Sequence, residues 1–438
     1  MRESFYSQCF ERDGRYFIFN AERVLFAEVE QDLYIKLFNK DYDDIPEDVL
    51  KQLIDADYLS EDDTQDSNFF NEENIKFLTN SFNPRVLYLI LVPTTSCNFK
   101  CPYCFEGEKV NATMSDEIQD KVIEHIKSYK NLEQLNITWY GGEPLLAFDV
   151  IKSLYAKIAE LEIPIGTHDI ITNGYLINDE VVEFFKTAKI NGVQITLDGT
   201  QPNHDKTRCL RNDTPTFSKI INNIHLLSSN LPGLNISIRV NIDRNNIDDF
   251  QEMFRYIHGE FTSDKIYVYP GIIQTEKKDG CSMCYNYITN NDKFNLYKQL
   301  REQGINIQFM PKKPKHRGCM INNINSFIIG PRGELYKCWN DVNHPEKIVG
   351  NLNTPDVLNS RLLSEYTLYS HQFNSSGCRQ CKVFPICKGG CGWHRMRNNL
   401  KGTTFELCSP YKNQEILKEA LVLSITPSSP DIQQPLYL

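Results

Sequence analysis

Val86-Leu87-Tyr88-Leu89-Ile90-Leu91-Val92 is an unbroken apolar run, and Cys97-Asn98-Phe99-Lys100-Cys101-Pro102-Tyr103-Cys104 follows it directly. The run has the length and composition of a buried strand. The loop beyond it presents three thiols in the spacing C-x3-C-x2-C. Thiolates are the soft ligands that iron–sulfur clusters take, usually four to a cluster. A loop supplying three leaves one iron without a protein ligand, open to chelate a small molecule. Loops at the carboxyl ends of strands are also where α/β folds build their sites.

Outward from this stretch, strand-like and helix-like segments alternate from about 84 to 275. The strands are expected at Val86–Val92, Leu135–Tyr140, His168–Thr172, Val193–Leu197, Asn235–Asn241 and Lys265–Tyr269. Between the first two, Ile118, Val122, Ile126 and Tyr129 share one helical face. Ser115 is positioned to cap that helix, and Asp116 and Glu117 suit the positive end of its dipole. Asn178 and Asp179 open another helix in the same way. Six βα units imply a parallel sheet with helices outside.

Polar motifs sit at the ends of these strands. Trp139-Tyr140-Gly141-Gly142-Glu143-Pro144 closes the second, and its glycines let backbone approach a ligand closely. Thr172-Asn173-Gly174 closes the third. Thr196-Leu197-Asp198-Gly199 closes the fourth, with His204-Asp205-x-x-Arg208 after it. Arg239 and Asn241, two apart on the fifth, face the same way. A buried-face arginine needs an anionic partner, either a bound carboxylate or an internal ion pair. Beyond about residue 310 a second cysteine set appears: Cys319, Gly333-x4-Cys338, Cys378-x2-Cys381-x5-Cys387-x3-Cys391 and Cys408.

Together these motifs resemble the radical SAM superfamily, whose signature is a CxxxCxxC loop after the first barrel strand and a GGEP loop after the second. The resemblance implies a partial (β/α)6 barrel of the TIM type. It also implies a 4Fe–4S cluster on Cys97, Cys101 and Cys104 that binds S-adenosyl-L-methionine (SAM) and cleaves it reductively to a 5′-deoxyadenosyl radical. Tyr103, Gly141, Gly142, Glu143, Asn173, Thr196, Arg208 and Arg239 are the implied cofactor-binding residues. Glu143 would meet the methionyl ammonium, Thr196 the ribose and Arg208 the carboxylate end, for which a planar guanidinium is apt. Asn173 would reach the adenine or ribose. His204 and Asp205 are expected to hold their loop together.

The second cysteine set is similar to the SPASM domain, which holds two auxiliary 4Fe–4S clusters. The resemblance assigns Cys319, Cys338 and Cys391 to the first, and Cys378, Cys381, Cys387 and Cys408 to the second. Three ligands leave the first cluster one short, to be filled by Cys281 or Cys284, by water or by a substrate thiolate. Two structural zinc sites are the alternative, since Cys378-x2-Cys381 alone would suit zinc. Cys9 and Cys209 have no assigned role.

Residues 1–80 read as a separate α+β unit. Arg15–Asn20 and Val24–Val29 look like paired strands, Asp32–Phe38 and Glu47–Ala56 like helices, and Tyr58-Leu59 like a return strand. This resembles the small winged-helix-like peptide-recognition domain at the front of many peptide-modifying radical SAM enzymes. Ser60–Glu73, acidic and Asn-rich, is expected to be a linker. The full division is 1–80, barrel 84–310, SPASM 311–412, and a helix and tail 413–438, with Thr426–Leu438 loose on the surface.

Composition narrows the partners. A net charge of −10 argues against a nucleic-acid partner held by phosphate contacts. No run approaches the ~20 apolar residues that span a bilayer, and no basic-then-apolar opening suggests a signal peptide. A cytoplasmic setting follows, in which fourteen cysteines serve metals rather than disulfides. The expected activity is maturation of a ribosomal precursor peptide by a thioether, C–C or C–O crosslink, with electrons from a low-potential donor such as flavodoxin or ferredoxin. Formylglycine formation in a sulfatase is the alternative, although those maturases usually carry Asp directly after the Gx4C cysteine. Here Trp339 follows Cys338, and Asp341 is the candidate base. A non-enzymatic iron–sulfur electron carrier is the alternative of another class; it would have no use for a SAM pocket.

Overall fold

The computed structural model describes residues 1–61, 65–104, 111–244, 246–272, 288–313, 319–426 and 432–437. By contacts the chain forms two compact units. One gathers Met1–Ser81, Thr289–Cys319 and Leu368–Leu438; the other gathers Phe82–Ile288 and Met320–Thr367.

The first unit opens with β1 (Arg2–Glu3), β2 (Ser7–Arg12), β3 (Arg15–Asn20) and β4 (Leu25–Val29), then α1 (Gln31–Asn39), α2 (Glu47–Asp55), β5 (Leu59–Ser60) and α3 (Gln65–Ser81). Strands β2, β3 and β4 form an antiparallel meander, and β1 pairs with β5. Ile18, Leu37, Ile45, Leu53, Tyr58 and Leu59 make its core. The expected linker is a correction, because most of Ser60–Glu73 belongs to α3. Acidic composition misled the reading; two aromatics seven residues apart, Phe70 and Phe77, are buried on one face of this helix. Both rings meet Phe373, at 5.0 and 5.6 Å between centroids.

The second unit alternates β6 (Val86–Leu91), α4 (Asp116–Lys127), β7 (Gln134–Trp139), α5 (Phe148–Ala159), β8 (Ile165–Thr172), α6 (Asp179–Thr187), β9 (Gly192–Leu197), α7 (Gln201–Thr207), α8 (Phe217–Asn230), β10 (Asn235–Ile242), α9 (Asp249–Glu260) and β11 (Ile266–Ile272). All six strands expected from the alternation are present and pair in parallel, each with its sequence neighbour. Ser115 accepts from the Ile118 N–H and Asn178 from the Val181 N–H, the caps expected from sequence. Ile118, Val122 and Ile126 are buried.

The rest of the chain runs α10 (Asn290–Glu302), β12 (Ile305–Gln308), β13 (Ser326–Ile329), β14 (Glu334–Tyr336), β15 (Gly350–Asn351), α11 (Ser360–Tyr369), α12 (Ser376–Arg379), α13 (Phe384–Cys387), α14 (Gly392–Lys401), α15 (Gln414–Ile425) and β16 (Ile432–Tyr437). Strand β13 pairs in parallel with β6, giving a nine-stranded sheet in the order β11-β10-β9-β8-β7-β6-β13-β14-β15. Among the described residues the two ends of this sheet do not pair, so the barrel is partial. The compact units therefore depart from the consecutive pieces read from sequence. Residues 320–367 join the barrel through β13, whereas 289–319 and 368–438 join the N-terminal unit. The tail is a second correction: β16 pairs with β12 in parallel. Among the described residues no helix is long and apolar enough to cross a membrane.

Candidate functional site

The cysteine loop leaves the carboxyl end of β6 and is stitched to its surroundings by backbone. Phe99 bridges to Leu210. The Lys100 N–H donates to the Cys209 carbonyl (3.3 Å) and the Arg211 N–H to the Asn98 carbonyl (3.1 Å). Arg211 Nε reaches the Cys97 carbonyl at 2.9 Å, and Asn173 Nδ2 donates to Asn98 Oδ1 at 2.7 Å. Cys97, Cys101 and Cys104 are left half-buried and outside any disulfide.

Gly141 and Gly142 serve this loop in a way the sequence did not reveal. Gly141 sits at φ 139°, in the region favouring glycine. A Cβ on Gly141 would collide with the Thr94 carbonyl, and one on Gly142 with the carbonyls of Thr95 and Ser96. The Gly142 and Glu143 N–H groups donate to Thr94 O (3.2 Å) and Ser96 O (2.8 Å). The close approach is thus backbone to backbone, clamping the start of the cysteine loop.

Glu143 is 1% exposed. Its carboxylate accepts from the Thr172 hydroxyl (2.7 Å), the Asn173 N–H (2.7 Å) and the Leu145 N–H (3.0 Å). Burial pushes its acidity weaker, against these donors and the Arg208 charge. The expected ammonium partner would join a carboxylate already holding the ends of β7 and β8 together.

Tyr103 is the meeting point of the far side. Its hydroxyl donates to Asp198, and accepts from Arg208 Nη1 (2.9 Å) and Asn241 Nδ2 (3.4 Å). Arg208, 9% exposed, also lies over the Phe99 ring at 5.7 Å. Burial holds the Tyr103 phenol in its neutral form, opposed by Arg208 and aided by Asp198. Thr207 adds a hydrogen bond to Asp198 at 3.0 Å. Thr196 lies half-buried on β9, in register with Arg239 on β10.

Arg239 Nε donates to Asn241 at 2.8 Å, and the missing Cβ of Gly271 makes room for it. Arg239 has no carboxylate partner among the described residues, so the internal ion pair weighed from sequence is not present there.

His204 and Asp205 hold the loop, as expected. Thr216 donates to the Arg208 carbonyl (2.6 Å), so it accepts from His204 Nε2 (3.0 Å), and the Asp198 N–H meets Nδ1 (3.3 Å). This fixes a neutral imidazole, and burial lowers its pKa to about 3, with Arg208 adding to the effect. Asp205 accepts from the N–H groups of Thr216 and Phe217 at the start of α8.

Asn98 and Asp198 are the residues the sequence reading quoted without assigning. Their signal was position: one inside the cysteine loop, one in the Leu-Asp-Gly turn. Asn98 Nδ2, Asp198 Oδ1 and Arg208 Nε are buried without a hydrogen-bond partner. Three orphaned polar atoms near a loop that presents three thiols outside any disulfide fit a polar ligand beside a thiolate-bound group.

Asp341 is buried on a short turn at Trp339–Asp341 and accepts from the Tyr366 hydroxyl at 2.7 Å. Trp339 packs on Tyr140, which directly precedes Gly141, with 6.0 Å between ring centroids.

In the other unit, Cys378, Cys381, Cys387 and Cys408 come together. Burial raises the Cys381 thiol, and Cys387 and Cys408 raise it further; burial raises Cys387 too, with contributions from Cys408 and Cys378. Thiols that perturb one another in this way share a site. Among the described residues no three His, Cys, Asp or Glu side chains surround a single-ion position. Cys319 and Cys391 lie in this unit, whereas Cys338 lies in the barrel unit. Cys281 and Cys284 fall outside the described residues.

Comparison with known proteins agrees. Residues 91–257 match the family model described as the radical SAM superfamily. A cysteine-type anaerobic sulfatase-maturating enzyme of Clostridium novyi is 26% identical over 356 residues, covering 75% of this chain and 94% of that protein. A serine-type anaerobic sulfatase-maturating enzyme of Bacteroides thetaiotaomicron is 34% identical over 154 residues, 32% of this chain and 36% of that protein. Among solved structures, "Native anSMEcpe with bound AdoMet and Kp18Cys peptide" superposes with a TM-score of 0.61 at 20% identity, covering 77% of this chain and 97% of the other, a likeness of fold. SuiB of Streptococcus suis bound to S-adenosylmethionine does so with a TM-score of 0.50 at 15% identity, covering 89% and 95%. The cysteine loop, the strand-end motifs, the parallel partial barrel and these matches identify a radical SAM domain at residues 91–257 and mark the chain as an enzyme.

Proposed function

We propose that the chain modifies a ribosomally made precursor peptide, forming a thioether, C–C or C–O crosslink. The observation that carries this reading is the N-terminal unit, a three-stranded meander with two helices on an independent core. The Clostridium novyi relative is matched over nearly its whole length yet leaves a quarter of this chain uncovered. A winged-helix-like module has a use in gripping a leader peptide.

Cys97, Cys101 and Cys104 would hold a 4Fe–4S cluster with SAM bound to it, which would supply radical chemistry able to take hydrogen from an unactivated carbon. This chain's residues position and exclude. Gly141 and Gly142 clamp the cysteine loop. Tyr103, Asp198, Arg208 and Asn241 form a polar wall toward the cofactor, and Glu143, Asn173, Thr196 and Arg239 complete it. Asp341, at the turn beside Tyr140, is the candidate proton acceptor, with Tyr366 fixing its carboxylate. Cys378, Cys381, Cys387 and Cys408 would hold one auxiliary cluster of a SPASM domain; the sequence resemblance assigns the other to Cys319, Cys338 and Cys391. A low-potential flavodoxin or ferredoxin supplies electrons in a reducing cytoplasm.

Formylglycine formation is the second reading, favoured by the sulfatase-maturating relatives. Incubating anaerobically reconstituted, reduced protein with SAM and the peptides encoded beside its gene separates the two. A peptide lighter by the hydrogens of one new bond, and inert to hydrazide, supports crosslinking. A hydrazide-reactive aldehyde supports formylglycine. Absence of 5′-deoxyadenosine with every peptide returns the chain to the electron-carrier reading.

A further inference from the structure

Arg395 lies on α14, one helical turn after Cys391, and is 6% exposed. Its Nη2 donates to the Gly389 carbonyl and stands 3.6 Å from Cys378 Sγ. Its Nε is buried without a hydrogen-bond partner. Arg395 forms no ion pair with a carboxylate among the described residues. Gly389 sits at φ 83°, and a Cβ there would meet Gln372 Cβ at 2.5 Å and Arg395 Nη2 at 3.0 Å, so the guanidinium lies close against this backbone. A buried charge costs several kcal/mol unless an opposite charge compensates it, on the order of the penalties seen for unpaired ions. The negative charge within reach is that of the Cys378, Cys381, Cys387 and Cys408 set, which carries thiolates once a metal group is bound.

We propose that Arg395 sets the reduction potential of the auxiliary cluster held by these four cysteines. The proposal rests on the cluster assignment of the preceding section. A cluster with four thiolates is anionic, and one-electron reduction adds another negative charge without making or breaking a bond. A buried guanidinium hydrogen-bonded to one of its sulfurs stabilises the reduced state more than the oxidised one and raises the potential. In the proposed reaction the electron comes from the substrate radical as it closes its bond. The Arg395 site is thereby the downhill acceptor. Arg395 is a positioning residue in this sense: it acts through the cluster and touches no substrate.

The test uses full-length protein carrying Cys97→Ala, Cys101→Ala and Cys104→Ala, so that only auxiliary clusters remain. Iron content and EPR-monitored redox titration are compared for this parent, for added Arg395→Gln and for added Arg395→Lys. Arg395→Gln is expected to keep its iron and to lower one midpoint. At the parent's midpoint the reduced-to-oxidised ratio should fall about tenfold or more, a shift of about 59 mV for one electron. Arg395→Lys should lie between the two, because it keeps charge but loses the planar fork. Full iron with unchanged midpoints in Arg395→Gln overturns the proposal. Should Arg395→Gln shed its iron, Arg395→Lys decides: a lowered midpoint supports the assignment, and one equal to the parent's overturns it. A parent that binds no iron overturns the cluster assignment itself, and this proposal with it.

Discussion

The two cysteine centres are built on opposite principles. The loop of Cys97, Cys101 and Cys104 offers three half-buried thiols, and its rigidity comes from neighbours: a glycine clamp beneath, an Asn98–Asn173 bridge at the side, and the Tyr103 cluster across from it. Around it, polar atoms are left unsatisfied. In the set of Cys378, Cys381, Cys387 and Cys408, burial and the neighbouring thiols raise Cys381 and Cys387, and Arg395 donates to one sulfur. The first arrangement leaves polar atoms of Asn98, Asp198 and Arg208 unsatisfied near its thiols; the second directs a buried guanidinium at one of its sulfurs.

The sharpest break would come from the cysteine loop. Cys97→Ala, Cys101→Ala or Cys104→Ala should each abolish 5′-deoxyadenosine formation, read by chromatography of the reduced enzyme with SAM, while the iron of the other set remains. Cys387→Ala tests the other side. It should remove one cluster's iron and cost its unit on the order of 3 kcal/mol or more, measured by anaerobic thermal unfolding. SAM cleavage should survive it better than crosslinking does.

Acid acts on both units, since burial also lowers His394, outside the barrel unit, to about 4. Burial lowers His204 to about 3 and His125 and His168 to about 4, all in the barrel unit. A histidine whose folded pKa is depressed leaves the unfolded chain binding more protons. Stability is therefore full above about 6.5 and is lost as pH falls toward those values, by up to about 1.4 kcal/mol per pH unit for each group. Urea unfolding across that range should show this slope, and His204→Gln should flatten it.

Gly142→Ala should destabilise by about 1–3 kcal/mol, because its Cβ meets backbone that cannot give way. SAM binding should weaken with it, while Arg395-linked potentials stay put. Tyr103→Phe is the mildest. Losing one hydroxyl should weaken SAM binding by roughly fivefold, about 1 kcal/mol, in a calorimetric titration.

The barrel was readable because its strands carry unbroken apolar runs and its helices carry caps such as Ser115 and Asn178. The cysteine loop was readable from its spacing together with the Gly141-Gly142-Glu143-Pro144 turn that follows the next strand. What escaped was set by partners distant in sequence. Helix α3 looked like a linker because its buried Glu73 is charged, and the residue that makes that tolerable, Lys388, is paired with it from far along the chain. Strand β16 was hidden by Pro435 inside it, tolerable because β12 is its one strand partner among the described residues. Gly141 and Gly142 announced a close approach without saying to what. Strand β13 was absent from the reading, since Ser326–Ile329 is too short to stand out from its surroundings.

That last strand has a consequence for how the polypeptide is made. Tyr88 sits opposite Ser326, so the edge on which the first barrel strand depends does not exist until most of the message has been translated. A nascent chain halted after β11 would expose that edge as an adhesive border, and holding it apart from other chains is work for the ribosome's attendants.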